Sequence, residues 1–296
     1  MGRLVVRVPA TTANLGSGFD CVGMAFDWFD ELTLETHDTP GLEVVVTGEG
    51  AADVPRDERH LVVATFLEGL AAFGGERPPG LRFTAHNTIP HSRGLGSSAA
   101  AIVAGLALAW GVARPGQPLD RAALTRLATA AEGHPDNAGA AVWGGAILAW
   151  ARDGKVSLVQ LPLPEGFGAV AYVPGFECRT DDARRVLPDT VGRADAVAQA
   201  IAAAALPLAL TLRPDLLLDA TADRLHQQYR ADLMRPAYDL MLRLRAAGVP
   251  AAISGAGPTV IAVGLPDQLD PAGSVTSTGF AVHRLRPAGG VELHVG

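Results

Sequence analysis

Apolar residues fall in two kinds of run along this chain, short alternating or β-branched segments and longer stretches at helical spacing. Residues 4–8 predict a strand that Pro9 stops, residues 32–36 alternate, and residues 42–46 are a β-branched run, so all three predict strands. Residues 60–73 carry apolar positions at helical spacing and end at Gly74 and Gly75, a helix stop. Another strand is predicted at 81–85, then a polar, glycine-containing loop at 87–97, then a strongly apolar helix at 98–112. Asp120 caps a further helix that runs to about Glu132. Strands at 146–150 and 156–160 flank Asp153-Gly154, which predicts a hairpin turn. The proline-flanked segment 162–166 predicts a linker. Beyond it come a strand at 169–173, helices near 181–187 and 193–206 and onward to Ala247, and strands at 252–254, 260–263, 280–285 and 291–295. Helices and strands mix without regular alternation, which predicts an α+β fold rather than a barrel or a doubly wound sheet, with domains at 1–161 and 162–296.

Composition narrows the class. With 296 residues, 48% hydrophobic and 19% charged, the chain can bury a large core. A net charge of −7 without a basic tail argues against a nucleic-acid partner. Two cysteines, Cys21 and Cys178, cannot build a disulfide framework or a cysteine zinc site, so a cytoplasmic location is expected. The longest uninterrupted apolar stretch, 99–113, is alanine- and glycine-rich and shorter than the ~20 residues of a membrane span, and no membrane partner is expected.

Lysine usage sharpens the picture. Lys155 is the only lysine, and Val156 follows it, so neither a Walker A loop nor a protein-kinase strand lysine is present. Any triphosphate must be held by other means. The segment Pro90, His91, Ser92, Arg93, Gly94, Leu95, Gly96, Ser97, Ser98, Ala99 offers one. Its glycines let backbone amides approach a ligand, and the helix that follows adds unpaired N–H groups and a partial positive charge. A serine N-cap after a glycine loop is the bland alternative.

Two further glycine-bearing segments carry polar residues. Residues 9–23 follow the first strand and include Thr11, Thr12, Asn14 and Asp20, a set suited to an ammonium and other polar groups, or to turn chemistry alone. Residues 254–259 (Ser-Gly-Ala-Gly-Pro-Thr) form a glycine turn between two strands.

In this order and at these separations, the three segments resemble the signature motifs of the GHMP kinase superfamily, whose lysine-free phosphate loop has the form Pro-x-x-x-Gly-Leu-Gly-Ser-Ser-Ala. Within it the chain is most similar to the homoserine kinase family, through residues 9–23 and through His134-Pro135-Asp136-Asn137. Ser17 and Ala138 stand where that family usually has proline and valine. The resemblance implies an N-terminal domain like ribosomal protein S5 domain 2 and a ferredoxin-like C-terminal domain. It also implies phosphorylation of L-homoserine by ATP, with Mg²⁺, in a homodimer. Other readings are a GHMP kinase for a mevalonate-type substrate and a non-catalytic ligand-binding relative.

Roles follow from the resemblance. Residues 90–99 bind ATP, and Ser97 or Ser98 with Glu132 supplies oxygen ligands to Mg²⁺. Asn14, Asp20, Asn137, Arg184, Arg230 and Gly257 bind homoserine: Asp20 suits its ammonium, Arg184 and Arg230 its carboxylate. Asn137, Arg184 and Thr180 are the catalytic candidates. Mevalonate and galactose kinases have an aspartate base near the position of Asn137, and an amide cannot take a proton, so a mechanism without a strong protein base is expected. His134 precedes a proline and is expected to shape a tight turn.

Overall fold

A computed structural model describes residues 2–296. Two sheets organise the chain. The larger has seven strands: β1 (Gly2–Asn14), β2 (Gly18–His37), β3 (Gly41–Gly48), β4 (Gly80–Asn87), β5 (Ala146–Arg152), β6 (Lys155–Leu161) and the last strand, β11 (Glu292–Val295). Their order is β11-β1-β2-β4-β3, with the β5–β6 hairpin joined to β2. The smaller sheet runs β10-β7-β9-β8, from β7 (Gly168–Pro174), β8 (Ala251–Ile253), β9 (Val260–Gly264) and β10 (Phe280–Leu285). The chain therefore returns at its end to the sheet it started.

Helices cover these sheets. In the first half they are α1 (Leu61–Phe73), α2 (Ser97–Ala113), α3 (Arg121–Glu132) and α4 (Pro135–Trp143). In the second half they are α5 (Thr180–Arg185), α6 (Arg193–Thr211), α7 (Leu217–Ala220), α8 (Gln227–Arg230), α9 (Arg235–Ala246) and α10 (Pro266–Leu269). Helix α2 is buried almost throughout, with Ile102 to Ala109 in the core between β1 and α1. That explains its unbroken apolar sequence: a helix apolar all round belongs inside.

Three expectations change. Pro9 does not end the first strand. The register shifts between Pro9 and Ala10, so the residue without an N–H sits at a bulge, and β1 continues to Asn14. Residues 9–23 are thus mostly two paired strands closed by a tight turn at 15–17 rather than a loop. The segment after His134 is not an isolated turn either. His134 is the N-cap of α4 and Pro135 takes the first helical position, where a missing N–H costs nothing. Finally, α6 extends past residue 206 to Thr211, through Pro207.

Candidate active site

The three glycine segments meet at the junction of the two sheets. Thr11 N donates to Leu95 O (3.0 Å), joining the first segment to the phosphate loop. Gly255 N donates to Ala13 O (3.0 Å) and Thr259 N to Arg93 O (3.2 Å), joining the third segment to both. Ser254 Oγ lies 2.6 Å from Gly94 O and 2.7 Å from Thr12 Oγ1, so its single proton goes to the carbonyl and it accepts from the threonine. Gly94 (φ +75°) tolerates no side chain here, because a Cβ would fall 2.2 Å from Ser254 O.

Around this seam lies a cavity of about 170 Å³ lined by Asn14, Asp20, Ser92, Gly94, Gly96, Ser97, Ser98, Ala99, Glu132, His134, Asn137, Thr180, Arg184, Arg230 and Gly257, among others. Nearly all the residues expected from sequence are therefore brought together. The exceptions lie in the phosphate loop. Leu95 is buried in the core, Pro90 faces another surface, and His91 lines a second cavity that shares Ser92, Ser97 and Ser98 with the first. Arg93 turns its guanidinium to Pro174 O, Gly175 O and Glu177, strapping the loop to the second half of the chain, so its side chain is no phosphate ligand.

The phosphate loop ends in Gly96 (φ +70°), which is the N-cap of α2 and offers no side-chain cap. The bland reading, a serine N-cap, is thereby replaced: the serines occupy the first helical turn instead. Ala100 N is the first amide of α2 with a helical acceptor, Gly96 O. The amides of Ser97, Ser98 and Ala99 are left at the positive end of the helix dipole, on residues lining the cavity. This is an anion cradle that needs no lysine. Upstream, the buried carboxylate of Asp30 accepts from Thr88 N (2.6 Å) and Ile89 N (2.9 Å) and fixes the entry to the loop.

Polar groups opposite the cradle are closely held. Thr11 Oγ1 donates to Asn137 Oδ1 (2.8 Å), which leaves the Asn137 Nδ2 as a donor for the cavity. Asp136, 1% exposed, accepts from Asn137 N and faces His134 Nδ1 at 2.8 Å. That hydrogen bond raises the His134 pKa above its ordinary value against the effect of burial. Asn14 bonds Gly255 O through Nδ2 and Asp20 N through Oδ1, so it places Asp20, and it keeps a second N–H and a second lone pair at the cavity it lines. Asp20 (φ +56°) forms a two-pronged ion pair with Arg184 (2.8 and 3.3 Å). Cys21, burial first and the Asp136 and Asp20 charges next, is pushed up to about 11 and stays a thiol.

Arg230 is 2% exposed. Its Nε donates to Ala183 O (2.9 Å) and Nη1 to Gly255 O (3.3 Å) and His226 Nδ1 (3.2 Å), and it lies over the Phe19 ring. Nη2 has no acceptor among the described residues, and the residue lines the cavity. Burial, then the Arg184 charge, lowers its pKa, yet a guanidinium stays charged. A buried cation with one free prong is a receptor for an anionic group of a ligand.

His226 is the residue that sequence reasoning missed. It is fully buried, stacks on Phe19, faces Gly16 O through Nε2 (2.9 Å) and orients Arg230 through Nδ1. A lone histidine in a helical stretch gives no local signal of this. Because Nδ1 accepts from a cation, the ring must be neutral, and burial lowers its pKa. The unfolded chain protonates this histidine below about pH 6.5 while the folded chain resists, so stability is lost as pH falls below that value. Thermal midpoints should drop between about pH 7 and about pH 5, and His226→Gln should flatten the decline without abolishing it, since buried His60 is also shifted downward. An unchanged slope would mean that the imidazole protonates in place.

Among the described residues no group of three or more His, Cys, Asp or Glu side chains forms a metal cluster. Mg²⁺ on a nucleotide takes one or two protein oxygens and completes its shell with phosphates and water. Ser97, Ser98 and Glu132 offer such oxygens at the cradle.

A lysine-free phosphate cradle between two α+β halves defines a GHMP-type kinase, and the GHMP kinases N terminal domain model matches residues 60–145. A homoserine kinase from Cutibacterium acnes is 53% identical over 97% of this chain and 98% of its own length. One from Streptomyces coelicolor is 46% identical over 95% of this chain and 90% of its own. The crystal structure of homoserine kinase from Cytophaga hutchinsonii superposes with a TM-score of 0.87 at 27% identity, covering 99% of this chain and 97% of that one. The chain belongs to the homoserine kinase family.

Proposed function

We propose that the chain transfers the γ-phosphoryl group of ATP to the hydroxyl of L-homoserine, giving O-phospho-L-homoserine and ADP. The free amides at the N-terminus of α2, in a cradle without lysine, carry this reading for the nucleotide. The cavity's pairing of an acidic and two basic groups supports it for an amino-acid substrate.

Homoserine brings an ammonium, a carboxylate and a primary hydroxyl, and each needs a partner once water is expelled. The ammonium goes to Asp20. Its carboxylate goes to the free prong of Arg230 and to Arg184, which the zwitterion draws away from Asp20. Asn137 donates Nδ2 to the reacting hydroxyl or the phosphoryl oxygens, with Thr180 and Gly257 at the margin of the same cavity. Ser97 or Ser98 and Glu132 would hold Mg²⁺, which offsets charge on the phosphates when bound. Positioning and charge neutralisation supply the catalysis, and the hydroxyl proton passes to the γ-phosphate or water rather than to a protein base. We place the division between the domains at 161/162, with β11 returning to the first sheet, the location in the cytoplasm, and the assembly as a homodimer.

ADP release measured side by side with homoserine, mevalonate, serine and galactose tests the substrate. Homoserine should be turned over best. A mevalonate preference would make it a different kinase of the superfamily, and nucleotide binding without ADP release from any alcohol would make it a binding protein. Asn137→Asp checks the missing base. It should lower kcat/KM by ~100-fold, because it replaces a donor with a negative charge beside the phosphates. A rise in kcat would show that a base was wanted.

A further inference from the structure

Arg93 stands in the phosphate loop, yet its side chain is spent elsewhere. The guanidinium, 16% exposed, donates from Nε to Pro174 O (3.1 Å), from Nη2 to Gly175 O (3.1 Å) and from Nη1 to His91 O (3.0 Å), and it pairs with Glu177 at 3.0 Å. One residue earlier, Ser92 O accepts from Cys178 N (3.1 Å). The loop that carries the cradle is thus stitched to the stretch of chain that leaves β7 and enters α5.

That stretch has little else to hold it. Across residues 175–189 only Cys178 and Ala183 are buried, and α5 has six residues, about 9 Å of helix. A segment with so few apolar contacts keeps its place through polar tethers and opens at low cost when they are cut. At its far end α5 has two, and both belong to the substrate site: Ala183 O accepts from Arg230 Nε (2.9 Å), and Arg184 holds Asp20 at 2.8 Å. Homoserine, bound as proposed above, separates Arg184 from Asp20. The substrate therefore cuts one tether of the very helix that must present Arg184 to it. What then keeps α5 in place at its near end is the set of bonds from Arg93 and Ser92.

We infer that Arg93 is a positioning residue that couples the two substrate sites, so that a nucleotide in the cradle tightens the binding of homoserine; the inference rests on the substrates proposed above and adds how each acts on the other. The sites are distinct, one at the amides of Ser97, Ser98 and Ala99, the other at Asp20, Arg184 and Arg230. The element between them has two arrangements, with Arg184 on Asp20 or on the ligand carboxylate. A nucleotide fixes the loop, and the loop fixes α5 through Arg93. Part of the cost of ordering α5 is then met before homoserine arrives. Such coupling is reciprocal and is typically about 5–150-fold in affinity. The residue type matters, because one planar fork reaches three carbonyls and a carboxylate at once. A lysine at this position could pair with Glu177 but could not bridge Pro174, Gly175 and His91 together.

Isothermal titration calorimetry of the full chain closes the cycle, with L-homoserine and the Mg²⁺ complex of a non-hydrolysable ATP analogue as the ligands. Homoserine should bind the unmodified chain about 10-fold more tightly with the analogue saturating than alone, and the analogue should gain the same factor from homoserine. In Arg93→Ala and in Arg93→Lys the factor should fall to ~2 or less, while the affinity of each ligand alone changes by less than ~3-fold. A merely structural arginine would instead weaken each ligand alone and leave the factor as it was. Hydrogen exchange supplies a readout on the unmodified chain, so the test survives a variant that does not fold. The analogue alone should slow exchange of the Ala183 and Leu187 amides, which donate to Arg179 O and Arg184 O in and after α5. A factor of one in the unmodified chain, a factor that persists in both Arg93 variants, or exchange unmoved by the analogue would each overturn the inference. Homoserine that binds equally with and without the analogue would sink the coupling alone, whereas homoserine that binds in neither case would sink the substrate reading and the coupling with it.

Discussion

Arg230→Ala should raise the KM for homoserine by ~100-fold or more. The guanidinium is buried, three of its contacts are internal, and one prong remains for a carboxylate. Removing one partner of a desolvated, hydrogen-bonded charge pair costs about 2–5 kcal/mol, and the substrate then carries an unpaired anion into the cavity. A merely structural arginine would weaken all substrates together. The distinguishing measurement is therefore the preference for homoserine over 3-aminopropan-1-ol, which has the same ammonium and hydroxyl but no carboxylate. That preference should collapse in Arg230→Ala and recover only in part in Arg230→Lys, whose point charge cannot keep Ala183 O, Gly255 O and His226 bonded while reaching the ligand. An unchanged KM, or an unchanged preference, would remove Arg230 from the carboxylate site.

The cradle was legible in the sequence and much of the wall opposite it was not, for a physical reason. Gly94, Gly96 and the serines act through backbone conformation over a few residues, so their chemistry is written locally. Asp20 and Arg184 are 164 residues apart, and Arg230 meets the first segment through the Phe19 ring and, by way of His226, through Gly16. No periodicity encodes such contacts, and the resemblance to known motifs supplied them. Pro9 misled because the rule that proline ends a strand holds only where the ladder needs its N–H; a bulge removes the need. The first helical position hides Pro135 in the same way, and α4 is built from alanine and glycine that give little amphipathic pattern. Asn14 lies on the cavity as expected, and the structure adds a task that the sequence did not show: its amide fixes the turn that aims Asp20.

Gly96→Ala should abolish most activity while leaving a folded chain. Gly96 sits at φ +70°, where a β-carbon is strained, and that carbon would fall 1.9 Å from Thr11 Oγ1. Thr11 cannot yield freely, because its amide holds Leu95 O and its hydroxyl holds Asn137. The substitution therefore tilts the first turn of α2, where the phosphates bind, and releases the amide that faces the reacting hydroxyl. Losing one preorganised donor in such a site costs about 10²–10³-fold in kcat, and this change disturbs two groups at once. Both kcat and the apparent affinity for ATP should fall, whereas the affinity for homoserine, which rests on Asp20, Arg184 and Arg230, should change far less. Thr11→Ser separates the two effects: it keeps the hydroxyl for Asn137 and removes only a methyl group, so activity should be nearly retained. Paired with Gly96→Ala, Thr11→Ser should restore little, because serine keeps the hydroxyl oxygen and the β-carbon that the new side chain meets. Retention of full activity in Gly96→Ala alone would mean that the phosphates are held elsewhere than at this turn.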